Sequence, residues 1–573
     1  MKLKAGLEVH QQLDCGKLFC TCGNLESGDN RSFKRTLHPT SSEMGAMDAA
    51  AKAEGIREFT YYNKSCNCLV YTDEEPPRGP NSHAVQIAVQ FAKLTGSKII
   101  EEVQFMRKIV VDGSNTSGFQ RTALIATGGK IEFNGKKLEL DQICLEEDSC
   151  RHGDKKDEYL LDRLGIPLLE ITTKPQLKKP KDVQDAALAL GRLLRACEVK
   201  RGLGTIRQDV NVSIDGGERV ELKGFQDLST MSKVVEKEIR RQEKLKKIKT
   251  GRVKNKKVVT KLIKRNRGDA YACKLVGWNG LLGTKKSSDE HIRMGREIAD
   301  HAIKTGVKGL MHSDELPAYG ISEEEKRKIS KAVDCGKEDA FVLIFGKDEI
   351  AEKALERVTQ RVQYKGVPKE VRKVTPEGHT RYLRPMPGAS RMYPETDIGP
   401  VNLQNISVKT PKTLDQREKE LPLNTEESKQ MVARELDSRF LKLLDKINDG
   451  KNISRILLHT IPNIESEIRI SINDDDILRV LLLIKEGKIA KEGIEKALIQ
   501  SSRGEEIETG GEHIEKDVEM FIEKLINEKI DFVRERGIES VGPLMGSVMS
   551  EFRGKMDGAK INALLIKGIK KVI

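Results

Sequence analysis

The sequence predicts a multidomain α+β chain, and three observations predict it. At 573 residues it is too long for one compact core, because single cores stop growing at ~250–300 residues. Residues 1–245 read as short strands with interspersed helices and Gly-rich turns. From about residue 425 the apolar spacing turns helical, broken only near 501–512 by SSRGEEIETGGE, and that change of period marks a change of architecture.

The elements follow in chain order. GLEVHQQL (6–13) alternates polar and apolar residues, so Glu8 and His10 share one face of a strand and Leu7 and Val9 the other. VQDAALALGRLLRACE (183–198) and STMSKVVEKEIRRQEKLKK (229–247) carry helical periodicity. GTIRQDVNVSIDGGERVELKGF (204–225) is a predicted hairpin, two alternating runs joined at DGG, a strong turn signal. Residues 246–270 are basic and irregular, as a linker or surface insertion would be. Within 271–375, SSDEHIRMGREIADHAIKTG is a predicted helix, followed by VKGLMHSDELP and more helix. TPEGHTRYLRPMPGASRMYPETDIGPV (375–401) is a Pro- and Gly-rich stretch returning to a sheet, and VGPLMGSVMSEFRGKMDGAKINALLIKGIKKVI closes the chain as a Gly-punctuated helix pair. No short tandem repeat is present.

Composition narrows the class of function. Charged residues make up 33%, aromatics 4%, and the net charge is +13, a balance that suits a polyanionic partner. The cations cluster at 233–266, although a solvated helix gives the same pattern. No segment approaches the ~20 apolar residues of a membrane span, and MKLKAGLEVH has no apolar signal core; the expected location is cytoplasmic. Ten cysteines in such a chain point to thiols or metal rather than disulfides.

Candidate chemistry collects on the predicted strands. Arg207, Asp209, Asn211 and Ser213 share a face, as do Arg219, Glu221 and Lys223; Glu170 is the lone carboxylate of GIPLLEITTKP, and CLEEDS adds three adjacent acids. Any one strand is explained by a solvated sheet face. Together, Glu8, Glu146 or Glu147, Glu170, Asp209 and Glu221, mixed with His10, Lys108, Arg207 and Lys223, must hold a cation or be protonated, because crowded carboxylates disfavour one another's ionised forms. A hard divalent ion such as Mg²⁺, completed by water and phosphate oxygens, satisfies that requirement, with Lys and Arg meeting the remaining phosphate charge. No Walker-type or kinase-type glycine loop occurs, so an ATP site here would be of another kind. Cys20 and Cys22 of CTC with Cys66 and Cys68 of CNC form a candidate structural Zn²⁺ set, Cys15 being a substitute. Cys144, Cys150, Cys197, Cys273 and Cys335 are expected to be buried small apolar residues.

AGLEVHQQL with CGKLFCTC, RKIVVDGSNTSGFQRT, LEEDS, DRLGIPLLEITTKPQ and GTIRQDVNVSI with RVELKGFQDLS together resemble the GatB/GatE family of tRNA-dependent amidotransferases. GVKGLMHSDELPAYGI resembles the insertion domain of bacterial-type aspartyl-tRNA synthetases, which marks the archaeal-type, E-type members, and GPLMGSVMSEFRGKMDG resembles the YqeY-like tail. The resemblance implies an antiparallel-sheet catalytic cradle domain at 1–265, an aspartyl-tRNA-synthetase-like α+β insertion at 266–378, a return to the cradle at 379–425, a helical domain at 426–505 and a YqeY-like tail at 506–573.

The resemblance also implies an activity: phosphorylation of the γ-carboxylate of glutamate on tRNA(Gln) by ATP and Mg²⁺, then displacement of phosphate by ammonia. Ammonia would come from an asparaginase-like amidotransferase partner, the D-type chain, in an assembly of two D-type and two E-type chains. Glu8 and His10 match the family's E-x-H and are assigned to the metal with Glu170 and an acid of LEED, Glu147 first and Glu146 as the alternative. Lys108 matches a lysine that contacts phosphate or lines the ammonia path. Arg207, Asp209, Asn211 and Glu221 are assigned to the nucleotide or to support of the ligands. The chain departs from B-type members at KIVVDGSNTSGFQRT, so aromatic contacts there do not carry over, and residues 113–118 are expected to offer backbone donors instead. The rival readings are a tRNA-binding scaffold without ATP turnover and a synthetase-like ligase; the lack of class II synthetase motifs argues against the second.

Overall fold

The computed structural model describes residues 2–573 apart from 23–30, 42–44, 64–66, 226, 265–267, 284–292, 395–396, 491–492, 510–511, 553–555 and 557. The chain forms two compact units, 1–411 and 412–573.

The first unit is built on one large sheet. Its main path comprises β1 (Leu3–Gln12), β2 (Phe105–Ile109), β3 (Phe119–Thr127), β4 (Lys136–Glu147), β5 (Pro167–Thr173), β6 (Ile206–Ile214), β7 (Val220–Lys223), β8 (Glu370–Val374), β9 (Thr380–Pro385) and β10 (Met392–Tyr393). Their order across the sheet is β9-β8-β7-β6-β1-β5-β4-β3-β2-β10, with two short strands attached to β3 and β4. Every pair on this path is antiparallel except β7 with β8. The expected hairpin is present as β6 and β7, with Asn211 opposite Glu221 and Gly216 supplying the positive φ that the turn requires.

Chain connectivity shows that the sheet is curled. Ten strands laid flat would span ~43 Å at ~4.8 Å per gap. The outermost strands, β9 and β10, are nevertheless joined by the short link from Pro385 to Met392, which reaches at most ~25 Å at ~3.5 Å per residue. Arg384 of β9 accordingly lies 3.8 Å from Asp112, just past β2, and the Arg391 Nε donates to the Ile109 carbonyl at 2.9 Å. The sheet is a trough, and the 385–392 link crosses its mouth.

The convex face is apolar. Leu7, Val9, Leu145, Ile171 and Val210 pack there against helices Ser82–Thr95, Pro180–Leu194 and Met231–Lys247 in one core. The first of these helices starts at an Asn81 cap, whose side chain accepts from two backbone N–H groups, and stops at left-handed Gly96. A small second sheet carries Phe59, Tyr61 and Tyr159 against the turn after β2. A Cβ on Gly113, at φ +90°, would meet the Phe59 and Tyr159 rings at 2.5 Å. Gly113 is thus committed to packing, and the Tyr61 hydroxyl donates to its carbonyl at 2.9 Å.

Between β7 and β8 the chain forms a separate four-stranded sheet, ordered Arg252–Val258, Ala270–Val276, Ala340–Phe345, Met311–His312. Two boundaries therefore differ from the sequence expectation. The small sheet begins at Arg252 rather than after 265, since Arg252–Val258 pairs antiparallel with Ala270–Val276. The return begins at β8, because Glu370–Val374 runs beside β7. Within the expected helix at 287–306 the described helix is Met294–Ile303, and residues 287–292 lie outside the described residues.

The second unit is helical from Leu414, earlier than the expected 426. It has two cores, one of Phe440, Leu443, Ile453, Ile464, Ile477 and Leu481, the other of Val518, Ile522, Leu544, Val548, Ile561 and Leu565. Among the described residues no helix is long and apolar enough to cross a membrane.

Candidate functional site

The concave face follows from strand register. On β1, Glu8 stands opposite Thr172 of β5 and Asp209 of β6, and His10 opposite Glu170 and Arg207. Directly opposed residues point to the same side of a sheet, so Glu8, His10, Glu170, Arg207 and Asp209 share the trough. Glu170 faces Cys144 on β4, and Glu146, two residues on, faces Thr122 of β3. Lys108 of β2 and Glu221 and Lys223 of β7 complete the set.

Two lysines divide the acids between them. Lys108 Nζ donates to Glu146 Oε2 and Glu170 Oε2, each at 2.9 Å. Lys223 Nζ bonds Asp209 Oδ2 at 2.5 Å, pairs with Glu221, and lies 3.9 Å from Glu8. His10 Nε2 stands between the groups, 3.5 Å from Glu170, 3.7 Å from Glu146 and 3.7 Å from Glu8. One ligand atom each from His10, Glu146 and Glu170, or from Glu8, His10 and Asp209, lies within 4.8 Å of the others. Either set could hold a metal ion.

Burial and charge act against each other here. Burial pushes the Glu146 and Glu8 carboxyls up, with Lys108 and Lys223 respectively opposing it. Burial would raise Glu170 as well, yet Lys108 and the His10 hydrogen bond hold it well below the usual carboxylate range. Burial would lower His10, but the Glu170 hydrogen bond and the surrounding carboxylates outweigh it and raise the imidazole. Both lysines are raised despite their burial, Lys108 chiefly by Glu146 and Lys223 by Asp209.

Glu147, the first choice of the sequence reading for the metal, lies elsewhere. Adjacent strand residues point to opposite faces, and Glu147 faces away from His10, accepting the Arg121 N–H at 2.9 Å with the Arg121 guanidinium 3.5 Å off. Arg121 in turn holds Asp397 of the return segment at 2.6 Å. The trough contains Glu146 and not Glu147.

The remaining expected residues are placed as follows. Arg207 reaches the end of the trough, its Nη2 donating to Asp148 Oδ1 at 2.8 Å, while Gln12 Nε2 donates to Asp148 Oδ2 at 2.6 Å. Asn211 stands opposite Glu221. Its Oδ1 and the Oγ1 of Thr172 are buried on this face without a hydrogen-bond partner among the described residues. Cys144, expected to be buried, is half-buried beside Glu170.

Sequence reasoning missed Gln12, Arg384 and Arg391, and met Asp148 only as one of the adjacent acids of CLEEDS, with no role given to it. Burial lowers the Arg391 guanidinium, which also senses Arg384 and, with the opposite sign, Asp112, Glu146 and Glu170. The only signal for it was RYLRPMPGASR, where arginines punctuate a loop.

Away from the trough, Cys20, Cys22 and Cys68 bring their sulfurs within 4.8 Å of one another, a set that can hold a structural metal. Cys66 lies outside the described residues. Cys15 is partly buried against the main core, its thiol raised to about 12 by burial.

Comparison with known proteins agrees with this architecture. Residues 3–409 match the GatB/GatE catalytic domain and residues 438–569 the GatB domain. A protein of Archaeoglobus fulgidus, named as the E-type chain of glutamyl-tRNA(Gln) amidotransferase, is 41% identical over 612 aligned positions, covering 100% of this chain and 98% of its own length. Proteins of the same name from Methanocaldococcus jannaschii and Thermococcus sibiricus are 40% and 39% identical, covering 100% and 99% of this chain and 99% and 98% of theirs. With the catalytic-domain match spanning the whole trough, the chain belongs to the GatB/GatE family.

Proposed function

We propose that this chain phosphorylates the γ-carboxylate of glutamate esterified to tRNA(Gln) with ATP, then replaces the phosphate with ammonia to give Gln-tRNA(Gln). The observation that carries the reading is the meeting of His10, Glu146, Glu170 and Lys108 in a buried trough. The names of the relatives state the same substrate.

The donor set fits Mg²⁺. Five carboxylates (Glu8, Glu146, Glu170, Asp209 and Glu221) face two lysines, and the oxygens of Asn211 and Thr172, without a hydrogen-bond partner among the described residues, add acceptors. Oxygen ligands with one imidazole suit a hard cation that keeps open positions. Held by His10, Glu146 and Glu170, with Glu8 and Asp209 alongside, the ion would neutralise phosphate charge and orient the triphosphate.

A carboxylate resists attack by ammonia because it is anionic and lacks a leaving group. In the first step one γ-carboxylate oxygen attacks the γ-phosphorus of ATP and ADP leaves, giving an acyl phosphate. Lys108, at the centre of the trough, and Arg391, at its mouth, supply the charge that in-line phosphoryl transfer depends on. In the second step the ammonia lone pair attacks the carbonyl carbon, phosphate departs with that oxygen, and nitrogen loses a proton. Glu8, whose carboxyl burial raises, is the acceptor for that proton. Arg207, held by Asp148, and Asn211 line the ends of the trough where nucleotide would lie.

Three further assignments belong to the same reading. Ammonia is supplied by an asparaginase-like D-type chain in an assembly of two D-type and two E-type chains. The four-stranded sheet with its helices is the synthetase-like insertion, and the helical unit with its tail receives tRNA. Cys20, Cys22 and Cys68, with Cys66 or Cys15, bind structural Zn²⁺. One zinc per chain is expected by plasma mass spectrometry, lost in Cys68→Ser; a folded wild type without zinc removes that assignment.

The activity is tested with the purified chain, Glu-tRNA(Gln), Mg²⁺-ATP and ammonium chloride. The expected products are Gln-tRNA(Gln) and equal ADP. Binding of tRNA with no ADP formed, even with the asparaginase-like partner present, would instead establish the scaffold reading.

A further inference from the structure

The first strand of the four-stranded sheet carries a charge distribution that the trough chemistry does not use. Between residues 244 and 264 stand ten lysines and arginines and no acid. The run leaves helix Met231–Lys247, passes along the edge strand Arg252–Val258 and continues to residue 264. Lys249, Arg252, Lys254, Lys256, Lys257 and Lys261 are all exposed, and none has an ion-pair partner among the described residues. The backbone keeps them so: Asn255, at φ +50°, sits at a register shift between Lys254 and Lys257, and its amide is tied to the Val333 carbonyl at 3.0 Å. Such a bulge twists the strand and leaves a residue unpaired.

Several exposed lysines elsewhere on the surface face acids. Lys136 meets Asp182 at 2.6 Å, Lys174 meets Glu139 at 2.6 Å and Lys328 meets Glu324 at 2.7 Å. Lysines on an edge strand also discourage strand-to-strand aggregation, but one or two suffice for that. Ten cations without one acid maintain a positive field whose natural counterpart is a polyanion.

We propose that this edge, residues 249–261, binds the sugar-phosphate backbone of a helical stem of the tRNA substrate; the assignment rests on the function proposed above. The strand, ~20 Å long at ~3.3 Å per residue, can follow several successive phosphates. No aromatic residue lies between 244 and 264, so the edge has no platform on which unpaired bases could stack. That favours a duplex backbone over a single-stranded end. Such contacts position the RNA and carry no base information.

The test uses the full chain carrying K254Q, K256Q, K257Q and K261Q together, with the four Lys→Arg replacements as a second variant. Binding of tRNA(Gln) transcript is measured over a salt series. Each lost phosphate contact weakens binding and flattens the salt dependence by about one unit of log–log slope. The Gln variant is expected to bind ~10–100-fold more weakly at physiological salt, with a slope shallower by roughly three. The Arg variant keeps the wild-type slope. At saturating tRNA the Gln variant keeps the wild-type rate of ammonium-dependent amidation. Unchanged affinity and slope in the Gln variant would overturn the proposal, as would unchanged RNA binding with loss of the asparaginase-like partner. A wild-type chain that binds no tRNA would defeat the function proposed above together with this surface.

Discussion

Glu146→Gln is expected to lower Glu-tRNA-dependent ADP formation by ~10²–10³-fold, the scale seen when one preorganised electrostatic group is removed from a site. Its neighbour gives the control. Glu147→Gln removes the same charge one residue away on the opposite face, where the carboxylate serves Arg121 rather than His10. It should leave the chemical step near wild type and instead lower stability by ~1–3 kcal/mol, the cost of weakening a buried hydrogen bond and ion pair to Arg121. Rates of ADP release and thermal melts of the two variants check both halves. If Glu147→Gln is the inactive one, the trough assigned here is not the phosphorylation site.

Arg372→Met is expected to cost ~3–5 kcal/mol, because it strips the buried Glu297 and Glu370 of one of their cations. Arg372 donates to Glu297 at 2.9 Å and to Glu370 at 2.6 Å, while Arg241 holds Glu238, Glu297 and the same Glu370. These groups join helix Met231–Lys247, helix Met294–Ile303 and β8, so one network ties the four-stranded-sheet region to the trough. Burial would raise the Glu297 carboxyl, but Arg372 and Arg241 depress it to about 2. Its folded pKa lies below its unfolded value, so its contribution is complete above ~pH 5 and is lost as pH falls toward about 2. The single tryptophan, Trp278, is buried in the same region. Urea unfolding followed by its fluorescence should show the wild-type midpoint falling through this acid range and the variant displaced downward already at neutral pH. A variant within about 1 kcal/mol of wild type would mean that the network is not a structural tie.

Much of the trough was legible because its chemistry sits on period-two strands. Alternation alone put Glu8 with His10 and Arg207 with Asp209, and the DGG turn gave the hairpin of β6 and β7. Two adjacent acids cannot be separated by such a pattern. Only the register of β4 against β5 and β3 shows that Glu146 enters the trough. Strand Arg252–Val258 was illegible because five of its seven residues are polar and only Val253 is part-buried, too little for an apolar phase to be read. Strand β8 joins β7 after a long excursion, a pairing set by tertiary packing rather than local sequence. Glu238 and Arg241 look like a solvated helix face in EKEIRRQEKLKK, yet both are buried. Their partners, Glu297 and Glu370, lie too far along the chain for spacing to reveal them. Asp148 with Arg207 and Arg391 with the trough acids escaped for the same reason.

Activation of the γ-carboxylate by phosphorylation within this trough is open to a direct test by oxygen tracing. The chain is given Glu-tRNA(Gln) labelled with ¹⁸O in both γ-carboxylate oxygens, together with Mg²⁺-ATP and ammonium chloride, and the inorganic phosphate is examined by mass spectrometry. The predicted result is one ¹⁸O in each phosphate released per Gln-tRNA(Gln) formed, because the oxygen that attacks phosphorus leaves with it. Unlabelled phosphate accompanying amide formation would contradict an acyl-phosphate route and the role assigned to the trough.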